Sequence, residues 1–186
     1  MSNMQLYPQA AVTIPPAIHA PEGSNWYAVQ TMARHEKRVN SQLQEKGIFT
    51  FLPLLQEVHR WSDRRRKVDV PLFNCYTFVR VVPTVENRVK VLSTSGALCF
   101  VGNERLGTPI PDEEIESLRT AIRERIPYAL HPYVSAGKRV RIRGGSLEGI
   151  EGILERQGAD QSLVLSVELL QRSVSIRVDG YDVELA

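Results

Sequence analysis

Apolar positions along this chain follow two rhythms in turn, and the change of rhythm divides it. From Asn25 to about residue 125, runs of strand formers alternate with stretches that repeat every three or four residues. Trp26 to Gln30 is aromatic and β-branched and short enough for a central strand. Thr31 is a candidate cap for a helix over Arg34 to Lys46, where Val39 and Leu43 share one face and Gly47 supplies the stop. Ile48 to Leu52 then reads as a strand broken by Pro53. Leu54 to Trp61 and Lys67 to Leu72 read as arms of a hairpin around a Ser62–Arg66 turn. Phe73 to Val82 is the densest strand signal, ended by Pro83. Thr84 caps a short helix, Val85 to Leu92, with Val85, Val89 and Leu92 on one face. Ala97 to Val101 closes the strand set. A further helix opens at Pro111, with Asp112, Glu113 and Glu114 where the dipole favours carboxylates and Ile115, Leu118 and Ile122 as its stripe.

Residues 126–135 hold Pro127, Pro132 and His131 without a period and read as a linker. Beyond them the rhythm is strict alternation. Lys138, Arg139, Arg141 and Arg143 interleave with Val140 and Ile142, so one face of that strand is expected buried and the other cationic. Gly149 to Glu155, Leu163 to Leu169, Val174 to Val178 and Tyr181 to Leu185 are further short strands, and such spacing predicts a small barrel. The pattern gives an α+β sandwich over 25–125, a linker over 126–135 and a β unit over 136–186. Residues 1–24, with Pro8, Pro15, Pro16 and Pro21 and almost no charge, lack a period and the marks of a signal peptide, and are expected to form a disordered tail.

Composition narrows the function classes. Of 186 residues 42% are hydrophobic and 24% charged, and the net charge is +2, too mild for binding nucleic acid by bulk charge. No apolar run approaches bilayer length, so no membrane association is expected. Cys75 and Cys99 are far apart and His19, His35, His59 and His131 scattered, so no metal site is expected, and reduced thiols fit a cytoplasmic protein. Glu113, Glu114 and Glu116 read as helix-start charge, and Gly144–Gly145 lacks the Lys-Ser/Thr of a phosphate loop. A non-catalytic protein without a cofactor is expected.

Several segments resemble one family in order and spacing. They are Asn25–Val29 (NWYAV), Pro71–Val79 (PLFNCYTFV), Gly96–Gly102 (GALCFVG), Ala136–Ile142 (AGKRVRI) and Gly145–Ile153 (GSLEGIEGI). The chain resembles the NusG-type transcription factors, whose N-terminal α/β sandwich, with a mainly antiparallel sheet, is linked to a five-stranded KOW barrel of SH3-like form. Housekeeping members carry Phe-Pro-Gly-Tyr where this chain has Phe73-Asn74-Cys75-Tyr76, which brings it nearer the specialised RfaH-type antiterminators of polysaccharide operons. Two positions that read DNA in the RfaH type fall on Met32 and Ser95, which are not ligands of the same kind, and Ser146-Leu147 replaces the usual Pro-Phe of the KOW loop.

The resemblance implies that Phe73, Asn74, Tyr76 and Phe78 seat on the clamp helices of the largest RNA polymerase subunit. Strand alternation puts Tyr76 and Phe78 on one face and Phe73 on the other, and the competing reading makes these aromatics core. Arg60, Arg64, Arg65, Arg66 and Lys67 would lie near nontemplate or upstream DNA; a solvated turn is the alternative. Leu147 and Ile150 would present an apolar knob to a small-subunit ribosomal protein or to Rho, with core packing as the alternative. A monomer bridging across the polymerase channel and raising processivity is the expected function. The rivals are a housekeeping factor coupling polymerase to Rho or the ribosome, and an RNA- or ribosome-binding KOW protein that does not engage polymerase.

Overall fold

The computed structural model describes residues 21–60, 65–102, 107–124, 128–131, 137–157, 160–178 and 181–186. The expected tail lies, for residues 1–20, outside them. Residues 21–24 form a turn in which the Ser24 N–H donates to the Pro21 carbonyl (3.1 Å), and Ser24 itself is buried.

The described residues group into two compact units. One combines the described residues up to Pro53 with Pro71–Asp112. Its elements are β1 (Asn25–Thr31), α1 (Glu36–Glu45), β2 (Phe49–Phe51), β5 (Tyr76–Val81), α2 (Val85–Leu92) and β6 (Ala97–Phe100), with β3 and β4 intervening in the chain. The four strands form an antiparallel sheet in the order β2-β5-β1-β6. α1 packs on β2 and β5, and α2 on β6. Tyr27, Val29, Val39, Leu43, Ile48, Val79, Val81, Val91 and Phe100 form one continuous core there. On the opposite face Trp26, Phe51 and Phe78 are buried, and the Arg80 guanidinium lies 5.8 Å over the Trp26 ring and pairs with Asp112 at 2.9 Å.

Two details of this unit depart from the pattern. Thr31 does not cap α1: it belongs to β1, is buried, and leaves its hydroxyl without a partner, while His35 stands at the cap without a side-chain bond. Of the expected inner face of α2, Val85 and Val89 are 68% and 60% exposed while Leu92 packs against the core, beside the fully buried Val91. The helix packs on β6 through Val91 and Leu92 at its C-terminal end, which leaves the first turn, with Val85, toward solvent. Thr84 does cap α2, its hydroxyl accepting from the Asn87 N–H at 3.2 Å.

The other unit combines Leu54–Val70 with Glu113–Ala186. Here β3 (Leu54–Arg60) pairs with β4 (Arg65–Pro71), the expected hairpin with its second arm beginning two residues early. The helix α3 (Asp112–Arg123) buries Ile115, Leu118 and Ile122 as its stripe predicts. An antiparallel sheet of six strands follows, in the order β12-β8-β9-β10-β11-β7. These are β7 (Tyr128–His131), β8 (Lys138–Arg143), β9 (Glu151–Gln157), β10 (Asp160–Val167), β11 (Arg172–Arg177) and β12 (Asp182–Leu185). The segment expected as a linker thus contains a strand: Tyr128–His131 pairs with β11, because backbone hydrogen bonds to an open sheet edge need no hydrophobic period. At Gly152 a Cβ would sit 2.6 Å from the Val164 carbonyl, so β9 and β10 approach where only glycine fits. Among the described residues no helix is long and apolar enough to cross a membrane.

Candidate functional site

The aromatic strand of the first unit is entered through a pinned turn. The Tyr76 N–H donates to the Phe73 carbonyl at 3.3 Å, and Cys75 takes φ +67° while Asn74 does not enter the left-handed region. This is the pattern of a type II turn, which favours Pro then Gly at its two central positions. The turn interrupts the strand, so alternation does not extend back from Tyr76 to Asn74 and Phe73.

Phe73 is 2% and Phe78 0% exposed. Their rings meet edge to face at 6.0 Å, and Phe78 stacks on Phe51 at 5.9 Å. The expectation that Phe78 points outward is therefore corrected, and Phe73 is core as well. Thr77, Phe78 and Val79 are all buried, so both faces of β5 are covered there and alternation cannot separate inside from outside. Tyr76 is half-buried and Asn74 exposed, and these two carry what surface the turn offers.

Pairing extends this surface sideways. Tyr76 lies opposite Gln30, which lies opposite Cys99 on β6, and the Cys99 thiol donates to the Gln30 amide oxygen at 3.4 Å. Met32, two residues after Gln30, and Leu98, just before Cys99, are 50% and 48% exposed. Behind the turn stands Glu36, buried in the first turn of α1, whose carboxylate accepts the Cys75 N–H at 2.8 Å. The Cys75 carbonyl in turn accepts the Thr31 N–H at 2.8 Å. Glu36, Gln30 and Cys99 were not legible as site residues. Glu36 meets Cys75 across 39 positions, and no local pattern links them.

The basic hairpin is only partly in view. Arg60 lies on β3 and Arg65, Arg66 and Lys67 on β4, Lys67 being exposed, while Arg64 lies outside the described residues.

In the second unit Leu147 is 0% and Ile150 3% exposed, so core packing holds for both and neither forms a knob. The loop is drawn inward onto β8: the Ile142 N–H donates to the Ile150 carbonyl, and the Gly149 N–H to that of Ile142, each at 2.9 Å. Along β8, Val140 and Ile142 are buried and Lys138, Arg139, Arg141 and Arg143 exposed, as alternation requires. Two of these cations are neutralised, Arg141 by Glu151 and Arg143 by Glu184. The hydrogen bond from Arg143 holds the Glu184 carboxyl below the usual carboxylate range. Glu114 on α3 accepts the Glu168 N–H at 3.2 Å. Burial pushes its carboxyl above the usual range, the Glu168 charge adding to this while the backbone bond and Arg139 oppose it.

The sheet thus presents an exposed Asn74 and a half-buried Tyr76 over a buried aromatic cluster. A family model described as the transcription termination factor NusG matches residues 24–119. The chain belongs to the NusG family. The transcription termination/antitermination protein NusG of Borreliella burgdorferi is similar at 24% identity, over 86% of this chain and 97% of its own. That of Deinococcus radiodurans is 28% identical, over 83% of this chain and 95% of its own. A solved structure of the domain interaction in Thermotoga maritima NusG covers 83% of this chain and 93% of its own at 18% identity, with a TM-score of 0.47. Proteins of this family are non-enzymatic transcription factors acting in termination and antitermination.

Proposed function

We propose that this chain is an elongation and antitermination factor that rides on RNA polymerase in the cytoplasm, seating the Asn74–Tyr76 turn on the clamp helices of the largest subunit. The observation that carries the reading is the family match over 24–119, which includes the whole of this turn and the sheet behind it. Phe73 and Phe78 act from within, as the packed base that keeps the turn in place. The factor holds the clamp to the far side of the main channel, with the basic hairpin facing upstream or nontemplate DNA. Its effect on pausing is bounded by its differential affinity for the two polymerase states. Residues 136–186 are a KOW-type module that brings Rho or a small-subunit ribosomal protein to polymerase at high effective concentration, through surfaces other than Leu147 and Ile150.

The favoured sub-class is a specialised antiterminator of one or a few operons. It rests on Asn74-Cys75, where a type II turn favours Pro-Gly, and on the modest identity to general factors, 24% and 28%. The general role is favoured instead by the names those relatives carry. Genomic occupancy separates the two: signal at one operon, or over all transcribed genes.

Binding of the intact chain to core RNA polymerase tests the main reading. Tyr76→Ala with Asn74→Ala should weaken it by about 2 kcal/mol, roughly thirtyfold, without disturbing the fold. An intact chain that does not bind, or a double variant that binds unchanged, refutes it. Phe78→Ala is unsuitable as an interface probe, because it should cost about 3–5 kcal/mol of folding stability.

A further inference from the structure

We propose that Glu36 is a positioning residue for the Asn74–Tyr76 surface, holding Cys75 in a conformation that glycine alone adopts freely. The inference rests on the polymerase-binding reading above. Cys75 has φ +67°, a region that L side chains avoid and that persists only where neighbours over-determine it. Two neighbours do so here. The Glu36 carboxylate takes the Cys75 N–H at 2.8 Å, and the Thr31 N–H holds the Cys75 carbonyl at 2.8 Å. Both peptide groups flanking the strained residue are therefore tied, one to α1 and one to β1.

Glu36 is well placed to serve as the anchor. It is 4% exposed, so its side chain has little freedom to leave the contact. It sits in the first turn of α1, where the helix dipole favours a carboxylate. One helical turn on, Asn40 meets the Thr77 hydroxyl at 3.5 Å, so a single face of α1 contacts both the turn and the strand it feeds. If the acceptor is removed, the cheapest response is for Cys75 to leave the left-handed region. That rotates the peptides on either side and carries Asn74 and Tyr76 away from their present positions. Binding would be lost through misplacement, although neither interface side chain had changed.

Glu36→Ala, Glu36→Gln and the double variant Glu36→Ala/Cys75→Gly, each in the full chain, test this by affinity for core RNA polymerase and by amide hydrogen exchange at Cys75 in the free protein. Glu36→Ala should weaken binding about tenfold and speed Cys75 exchange. Glu36→Gln keeps an acceptor at the same reach and should lose less than about threefold. The double variant should recover most of the affinity, because glycine holds the turn without help, a rescue that general destabilisation would not produce. Unchanged binding or unchanged Cys75 exchange in Glu36→Ala overturns the proposal. So does a double variant as weak as Glu36→Ala, or a Glu36→Gln loss equal to it. The exchange measurement needs no polymerase, so a chain that fails to bind refutes the functional reading while Glu36 is still judged on Cys75 exchange.

Discussion

Among the described non-glycine residues Arg34, Cys75 and Gln171 are left-handed, and of these Cys75 lies in the proposed polymerase-binding turn. A non-glycine residue in the left-handed region costs about 1–2 kcal/mol, and Cys75 sits there at φ +67°. Glycine removes that cost but makes the unfolded chain more flexible, an opposing term of about 0.5–1 kcal/mol. Substituting both glycine and alanine isolates the effect, since each removes the thiol and only alanine keeps the strain. Cys75→Gly should therefore be more stable than Cys75→Ala by about 0.5–1 kcal/mol. With a urea slope of about 2 kcal/mol/M, this is a midpoint difference of about 0.3–0.5 M. The chain has two tryptophans, and in a Trp61→Phe background the fluorescence of Trp26 reports on the unit that contains Cys75. Equal urea slopes with a higher midpoint for glycine would agree with the reasoning. A glycine variant no more stable than the alanine one would refute it, because the turn would then have relaxed out of the left-handed region at no cost.

The second unit offers two further tests. Gly152→Ala would place a Cβ 2.6 Å from the Val164 carbonyl and 2.9 Å from the Leu163 side chain, and should destabilise the β9–β10 pairing by about 1–3 kcal/mol, read as faster amide exchange at Ile153 and Val164. Glu114→Gln should raise stability at neutral pH. Burial raises the folded-state pKa of Glu114 above that of the unfolded chain, so between the two the folded state binds more protons, and above both the buried carboxylate lowers stability. The advantage of Gln should shrink as the pH falls through the raised pKa and vanish below the unfolded value; a gap that widened on acidification would contradict the assigned cause.

Much of the local structure could be read from residue type and period. Val39 and Leu43 share a buried face because helical spacing leaves them no other, and Thr84 caps α2 because its hydroxyl reaches the Asn87 N–H within one turn. The strict alternation of β8 assigned its inner and outer residues correctly, since that strand has one covered face. Alternation failed at β5, where both faces are covered and Phe78 is as deeply buried as Val79. At Leu147 and Ile150 the core alternative holds over the knob that the resemblance implied, because the loop is drawn onto β8 by backbone hydrogen bonds that side-chain patterns do not encode.

The division between sequence and tertiary structure is clearest at the Phe73–Tyr76 turn. From the sequence came an aromatic strand here, in the order and spacing that mark the NusG family, with Asn74-Cys75 where housekeeping members carry Pro-Gly. It took the fold to make Cys75 left-handed, to bring Glu36 and Thr31 into hydrogen bonds with it, and to leave Asn74 exposed and Tyr76 half-buried while Phe73 and Phe78 are core. The physical reason is distance along the chain. Periods and caps act within a few residues, whereas the strained turn is stabilised by a carboxylate 39 positions away, brought near when α1 packs on β5.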